Sequence, residues 1–189
     1  GHRTYDEALL HNLNLFDDYS VFGTMRFHLR LNKFQLKGVF LSFIRLIEVK
    51  NKPCSVMQKL KGRTVNETDA DLCASLGYII AKFHIAGESY KVNIANSRDI
   101  RWVKKNIKNV SKYINPEQIK LLNRSSKIFE RLFNAGLPEG VIHSDLFRDN
   151  VLANKNKITG IIDYYYSFTG PFIYELAVII NDWCVNKNG

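Results

Sequence analysis

Little in this 189-residue chain would cross-link it or carry it through a membrane. There are three cysteines, Cys54, Cys73 and Cys184, an odd number with no Cys-x-x-Cys spacing. A disulfide framework is therefore not expected, and a reduced, cytoplasmic setting fits best. No apolar run reaches the roughly 18 residues of a membrane span, and the first residues lack the basic-then-apolar order of a secretory leader, so no membrane partner is expected. Acidic residues are few: 18 Asp and Glu stand against 27 Lys and Arg, for a formal charge of +9 and a pI near 9.5. Such a balance ordinarily raises nucleic acid as a partner. Here Lys and Asn are mixed with Ile throughout, which biased codon usage would also produce, and no nucleic-acid partner is expected. Repeats and low-complexity blocks are absent, and 46% hydrophobic content allows a substantial core in one compact domain or two lobes.

What is present is concentrated near the C-terminus. His143-Ser144-Asp145-Leu146-Phe147-Arg148-Asp149-Asn150 is followed by Ile161-Ile162-Asp163. Gly140–His143, Val151–Ala153 and Lys157–Ile162 read as short strands, the last two forming a hairpin whose turn, Asn154 to Lys157, combines turn-tolerant Asn with water-seeking Lys. A pairing centred near Asn156 and Lys157 sets Asn150 opposite Asp163, and opposed side chains on one face have Cβ atoms about 4.5–5.5 Å apart. An amide oxygen and a carboxylate at that separation suit Mg2+. Asp145 enters the hairpin from the side where a substrate hydroxyl would sit, the position of a base or hydroxyl-orienting group. The set points to phosphoryl transfer from a nucleoside triphosphate, ATP.

Elsewhere the chain reads as helices and a small sheet. Residues 1–20 are polar and mixed with a weak helical period. Met25, Phe27, Leu29 and Leu31 alternate as in a strand, and Val39 to Ile47 suits either a buried helix or a second strand. This aromatic-rich stretch is read as the core of a small β-lobe rather than a membrane or partner face. Pro53 breaks the pattern, and Ser55–Leu60 reads as a strand. Thr68 is suited to capping a helix from Asp69 to Ala86, stopping at Gly87, with Leu72, Leu76, Ile80 and Phe83 inward. His84, near its end, is more simply a hydrogen-bonded structural residue than a ligand.

Arg98 to Ile114 carries one apolar stripe, Ile100, Val103, Ile107 and Val110, amid five basic residues, and reads as a solvated amphipathic face rather than an RNA site. Asn115-Pro116-Glu117 opens a helix to Phe133 with Ile119, Leu122, Ile128, Phe129 and Leu132 inward. Gly170-Pro171 marks a turn, and Tyr174–Trp183 reads as a buried helix.

His-x-Asp-x-x-x-x-Asn with a following strand and Asp is the catalytic-loop and metal-Asp pattern of kinase-like phosphotransferases. Val141 to Leu152, Gly160 to Tyr165, Leu176-Ala177 and Asn181-Asp182-Trp183-Cys184 resemble the bacterial homoserine kinases of the aminoglycoside phosphotransferase and choline kinase-like superfamily. Leu60-Lys61-Gly62-Arg63-Thr64-Val65 and the helix from Leu76 to Gly87 extend the resemblance over residues 55–185. It implies an α+β, protein kinase-like fold: a shortened N-terminal β-lobe and hinge strand over residues 1–60, and a mainly helical C-lobe over 61–189 with the catalytic-loop hairpin, incomplete at its C-terminus.

The implied activity is ATP- and Mg2+-dependent phosphorylation of a small-molecule hydroxyl, L-homoserine to O-phospho-L-homoserine in threonine biosynthesis. Aminoglycoside or choline-type substrates, and an inactive truncated remnant or binding domain, are the alternatives. Asp145 is the implied catalytic residue, and Asn150 and Asp163 the implied metal ligands. Gln58, Leu60 and Arg148 would hold ATP, while Asp182 and Arg148 would meet the substrate. Glu175 takes the place of a buried Asp that ties down the loop, one carbon longer. Residues 1–54 show no glycine-rich turn, and Lys33, Lys37 and Lys50 are the nominal phosphate-holding lysines.

Overall fold

The computed structural model describes residues 43–50, 52–57, 59–88, 90 and 93–185. Its elements run β1 (Phe43–Val49), β2 (Lys52–Met57), β3 (Arg63–Thr64), α1 (Ala70–Glu88), α2 (Ile100–Val110), α3 (Pro116–Phe133), β4 (Glu139–Ile142), β5 (Val151–Asn154), β6 (Lys157–Ile161), β7 (Phe168–Pro171) and α4 (Phe172–Trp183). The alternating stretch from Met25 to Leu31, as well as Lys33, Lys37 and Gln58, lies outside the described residues.

β1 and β2 form an antiparallel hairpin, which settles strand over helix for Phe43 to Ile47. The second strand begins earlier than Ser55, and Pro53 sits inside it opposite Glu48. Lys50 occupies the turn with φ 51°.

α1 is the spine of the core. Leu76, Ile80 and Phe83 are each 1% exposed, matching the helical spacing of the sequence, and each buries roughly 1.5–3 kcal/mol of apolar surface. Asp69, not Thr68, is the cap: its Oδ1 accepts the Leu72 N–H at 2.7 Å. Thr68 is engaged elsewhere, its hydroxyl donating to the Trp183 carbonyl at 2.8 Å. Nor does the helix stop at Gly87. That glycine is inside the last turn because α1 presses on β4 there: a Cβ on Gly87 would lie 2.7 Å from the Val141 carbonyl oxygen, and one on Gly140 2.7 Å from the Glu88 nitrogen. The two glycines let helix and strand backbones touch.

β4 pairs antiparallel with β7, so Gly170-Pro171 ends a strand rather than marking a simple turn. β5 and β6 form the expected hairpin, with β3 on the outer side of β5. Gly62, at φ 114°, explains the Leu-x-Gly-Arg segment: a Cβ there would lie 2.3 Å from Thr159 Oγ1, which donates to the Lys61 carbonyl at 2.6 Å.

α2 and α3 pack on each other outside this core. Asp99 caps α2 through the N–H groups of Arg101 and Trp102, and Asn115 and Gln118 form a reciprocal capping box on α3 with Pro116 in the first turn. Both helices are shallower than their stripes suggest. α2 has no buried residue, and on α3 only Ser126 is buried, Ile128 being 58% exposed. α4 likewise is not a buried helix: Glu175 and Trp183 are buried while Ile173, Leu176 and Ile180 face outward. A stripe gives the direction a helix faces; the number of layers around it sets the depth. No helix among the described residues is long and apolar enough to cross a membrane.

Candidate active site

The loop from His143 to Asn150 joins β4 to the β5–β6 hairpin and is held from beneath by a buried polar network. Glu175, 0% exposed on α4, accepts the His143 N–H at 2.5 Å and the Ser144 N–H at 2.9 Å through Oε1, while Oε2 meets His84 Nε2 at 2.6 Å. The extra carbon relative to Asp therefore does not loosen the loop; Glu175 reaches it with both oxygens engaged. His84 is structural, its ring stacked on Phe172 with centroids 4.4 Å apart.

His143 is also fully committed. Its Nδ1 accepts the Asp145 N–H at 3.2 Å, which leaves Nε2–H to donate to the Ile162 carbonyl at 2.8 Å. Burial pulls its imidazole below the usual value, with Glu175, the Ile162 carbonyl, Asp145 and Asp163 opposing in that order. A neutral ring is the form that satisfies both hydrogen bonds. Ser144 adopts φ 66°, and its hydroxyl donates to the Tyr166 carbonyl at 2.7 Å. On the other flank Trp183 Nε1 donates to the Leu146 carbonyl at 3.0 Å.

This frame presents Asp145 half-buried and Asn150 beside it. The Asn150 amide donates to the Asp145 carbonyl at 2.7 Å and to its Oδ2 at 3.3 Å, so Oδ1 is turned the other way and meets no hydrogen-bond donor among the described residues. Asp163 is exposed, left-handed at φ 62°, and does not cap the short helical turn it precedes. The hairpin register differs from the sequence expectation by one residue. Val151 pairs with Ile161, and the Ile162 N–H bonds the Asn150 carbonyl, so Asn150 faces Ile162. The turn is tighter, with Asn154 opposite Lys157, and an irregularity at Leu152–Ala153 shifts the pairing. The left-handed turn at Asp163 replaces direct opposition across the strands.

Arg148 and Asp182 are brought together, but on each other. Asp182 Oδ1 takes Arg148 Nε at 3.1 Å and Nη2 at 3.0 Å, and Oδ2 takes the Arg148 N–H at 2.7 Å. The ion pair open to Arg148 is thus with α4 and not with neighbouring Asp149, and its Nη1 donates to the Asn66 carbonyl at 3.1 Å. Leu60 is buried against Gly160, so only its backbone is left for a ligand. No motif singles out Arg98, whose guanidinium carbon lies 3.6 Å from the centre of the Tyr166 ring. Trp183 belongs to the Asn181–Cys184 motif quoted above, but its contact with the Leu146 carbonyl is visible only in the fold.

Among the described residues the donor set fits a hard cation: the Asp163 carboxylate and the Asn150 amide oxygen, with no thiolate or uncommitted imidazole beside them. No cluster of three or more His, Cys, Asp or Glu side chains suited to a metal occurs among the described residues, so phosphate and water oxygens would complete the shell.

The family model described as "Phosphotransferase enzyme family" matches residues 28–189. The chain belongs to the phosphotransferase enzyme family. Among curated relatives, homoserine kinase of Methylobacillus flagellatus is 39% identical over 142 residues, 75% of this chain and 44% of the relative. That of Methylobacillus glycogenes is 33% identical over 142 residues, 75% and 45% of the two chains. The chain thus spans a little under half the length of these relatives. Among solved structures, amicoumacin kinase hAmiN in complex with AMP-PNP, Ca2+ and Ami has TM-score 0.59 at 20% identity, over 88% of this chain and 54% of that one. The GDP complex of aminoglycoside 2'-phosphotransferase-IIIa has TM-score 0.64 at 16% identity, over 85% and 62%. The likeness establishes the α+β, kinase-like fold of this family member.

Proposed function

We propose that this phosphotransferase binds ATP with Mg2+ and transfers the γ-phosphoryl group to a small-molecule hydroxyl, L-homoserine being the favoured acceptor. The single observation that carries this is the orientation of Asn150 by Asp145, which frees an amide oxygen beside a catalytic-loop carboxylate. Asn150 Oδ1 and the Asp163 carboxylate would hold the magnesium ion, whose charge offsets that of the phosphates. Asp145 aligns the acceptor hydroxyl and takes its proton as the oxygen attacks, and positioning supplies most of the rate in such transfers. His143, neutral and doubly hydrogen-bonded, orients the Asp145 backbone and carries no proton. Glu175 and Trp183 hold the loop rigid, and the Arg148–Asp182 pair ties its far end to α4. The Leu60 backbone, next to Gln58 in the hinge segment, is the proposed adenine contact. The homoserine kinase relatives favour a hydroxy amino acid over an aminoglycoside or choline.

Calorimetric titration with Mg-ATP, followed by phosphate transfer to L-homoserine, choline and an aminoglycoside panel, tests the proposal. Asp145→Asn should retain nucleotide binding and lose about 10²–10⁴ in transfer rate. Failure to bind nucleotide at millimolar ATP would overturn it.

A further inference from the structure

Arg98 lies between α1 and α2, exposed, with its guanidinium stacked on Tyr166 at 3.6 Å and near Trp102 at 5.8 Å. A guanidinium held flat on a tyrosine has its plane fixed while its edge N–H groups stay free, the geometry that receives a planar anion through two hydrogen bonds.

Two observations tie this fork to the His143–Asn150 loop. The Tyr166 carbonyl accepts the Ser144 hydroxyl at 2.7 Å, and Ser144 precedes Asp145. The half-buried Tyr174 phenol is pushed up by burial first, with Arg98 lowering it and Asp145 raising it, so one hydroxyl lies within electrostatic reach of both. Neighbouring charges are otherwise engaged. Asp99 caps α2 and pairs with Arg101 at 2.7 Å, Lys104 pairs with Glu130 at 2.9 Å, and Arg148 pairs with Asp182 at 3.0 Å. Among the described residues no carboxylate pairs with Arg98.

Next to Asp145 and Asp163, the carboxylate of an amino-acid acceptor would be repelled unless a cation received it. Arg98 joins the loop through Tyr166 and Ser144, whereas Asn150 meets Asp145 through that residue's own carbonyl and carboxylate.

We propose that Arg98, held on Tyr166, binds the carboxylate of the acceptor and so selects hydroxy amino acids over amino alcohols that lack the carboxylate. The inference rests on the phosphotransfer proposal above and adds the residue that sets acceptor class.

The test compares L-homoserine with the amino diol in which its carboxylate is reduced to CH2OH, leaving the reacting hydroxyl unchanged. Arg98→Met keeps a stem over Tyr166 and removes the charge; Arg98→Lys keeps charge and loses the fork. Arg98→Met should raise KM for L-homoserine about 10- to 100-fold, the range for a lost hydrogen bond to a charged group, with kcat and the KM for ATP within about twofold and the amino diol unaffected. Arg98→Lys should recover part of the loss. Equal losses for both acceptors, an unchanged KM for L-homoserine, or a rise confined to the KM for ATP would overturn the assignment, the last locating a phosphate of the nucleotide at Arg98. If nothing is phosphorylated although Mg-ATP binds, the phosphotransfer proposal fails on its own. Calorimetry of the two acceptors with the unmodified protein and Arg98→Met then decides for the anchor, and equal affinities would refute it.

Discussion

The His143–Asn150 loop and the α2–α3 pair are held by opposite means. Beneath the loop, Glu175 and His143 are 0% exposed and every polar atom described for them has a partner. Across α2 and α3 the polar contacts are caps and exposed ion pairs, and the only buried residue is Ser126. A buried acceptor that loses its partners is penalised by the full desolvation of the groups left behind, whereas a surface pair exchanges its partner for water. Rigidity at the site is thus purchased where water is excluded, and the outer helices contribute shape with little energetic cooperation.

Substitutions should separate the two regions. The largest effect is expected for Glu175→Ala, which strands the His143 and Ser144 N–H groups and His84 together: a destabilisation of about 3–5 kcal/mol by urea unfolding. A loss under about 1 kcal/mol would show that water enters beneath the loop.

A pH effect should follow from His143. Its folded pKa is depressed below the 6.5 of an ordinary imidazole, so below that value the unfolded chain binds the proton that the folded chain refuses. Stability is therefore fully present above 6.5 and declines as the pH falls from there toward the folded pKa. Unfolding midpoints across that window check the slope. The His143 ring resonance, expected to stay neutral where exposed histidines titrate, checks the assignment.

In the outer pair the effects should be smaller. Asn115→Ala removes half of a capping box and is expected to lower stability by about 1 kcal/mol in the same unfolding experiment. Lys104→Ala breaks a pair whose side chains are 54% and 41% exposed, and should cost at most about 0.5 kcal/mol, less in high salt. A cost for Lys104→Ala equal to that of Glu175→Ala would erase the distinction between the regions.

Much of this was legible in the chain. The α1 stripe, the β5–β6 hairpin and the Pro116 start of α3 follow from periods and turn chemistry, and Asp145, Asn150 and Asp163 were singled out by spacing. Errors arose where a local preference met a distant partner. Thr68 is a good cap by type, yet its hydroxyl goes to Trp183, and Asp69 takes the role. Gly87 looks like a helix stop, yet it is the small residue on which β4 rests.

By itself, the sequence determined the inventory: which faces are apolar, where the β5–β6 hairpin turns, and which oxygen-bearing side chains stand close along the chain. These depend on neighbours a few residues away, whose distances covalent geometry and hydrogen-bond periods dictate. Only the tertiary structure decided that Glu175 reaches the loop 32 residues before it, that Arg148 and Asp182 satisfy each other, and that the Arg98 guanidinium lies over the Tyr166 ring. Contacts of that range depend on how the layers stack, and no local period encodes the stacking.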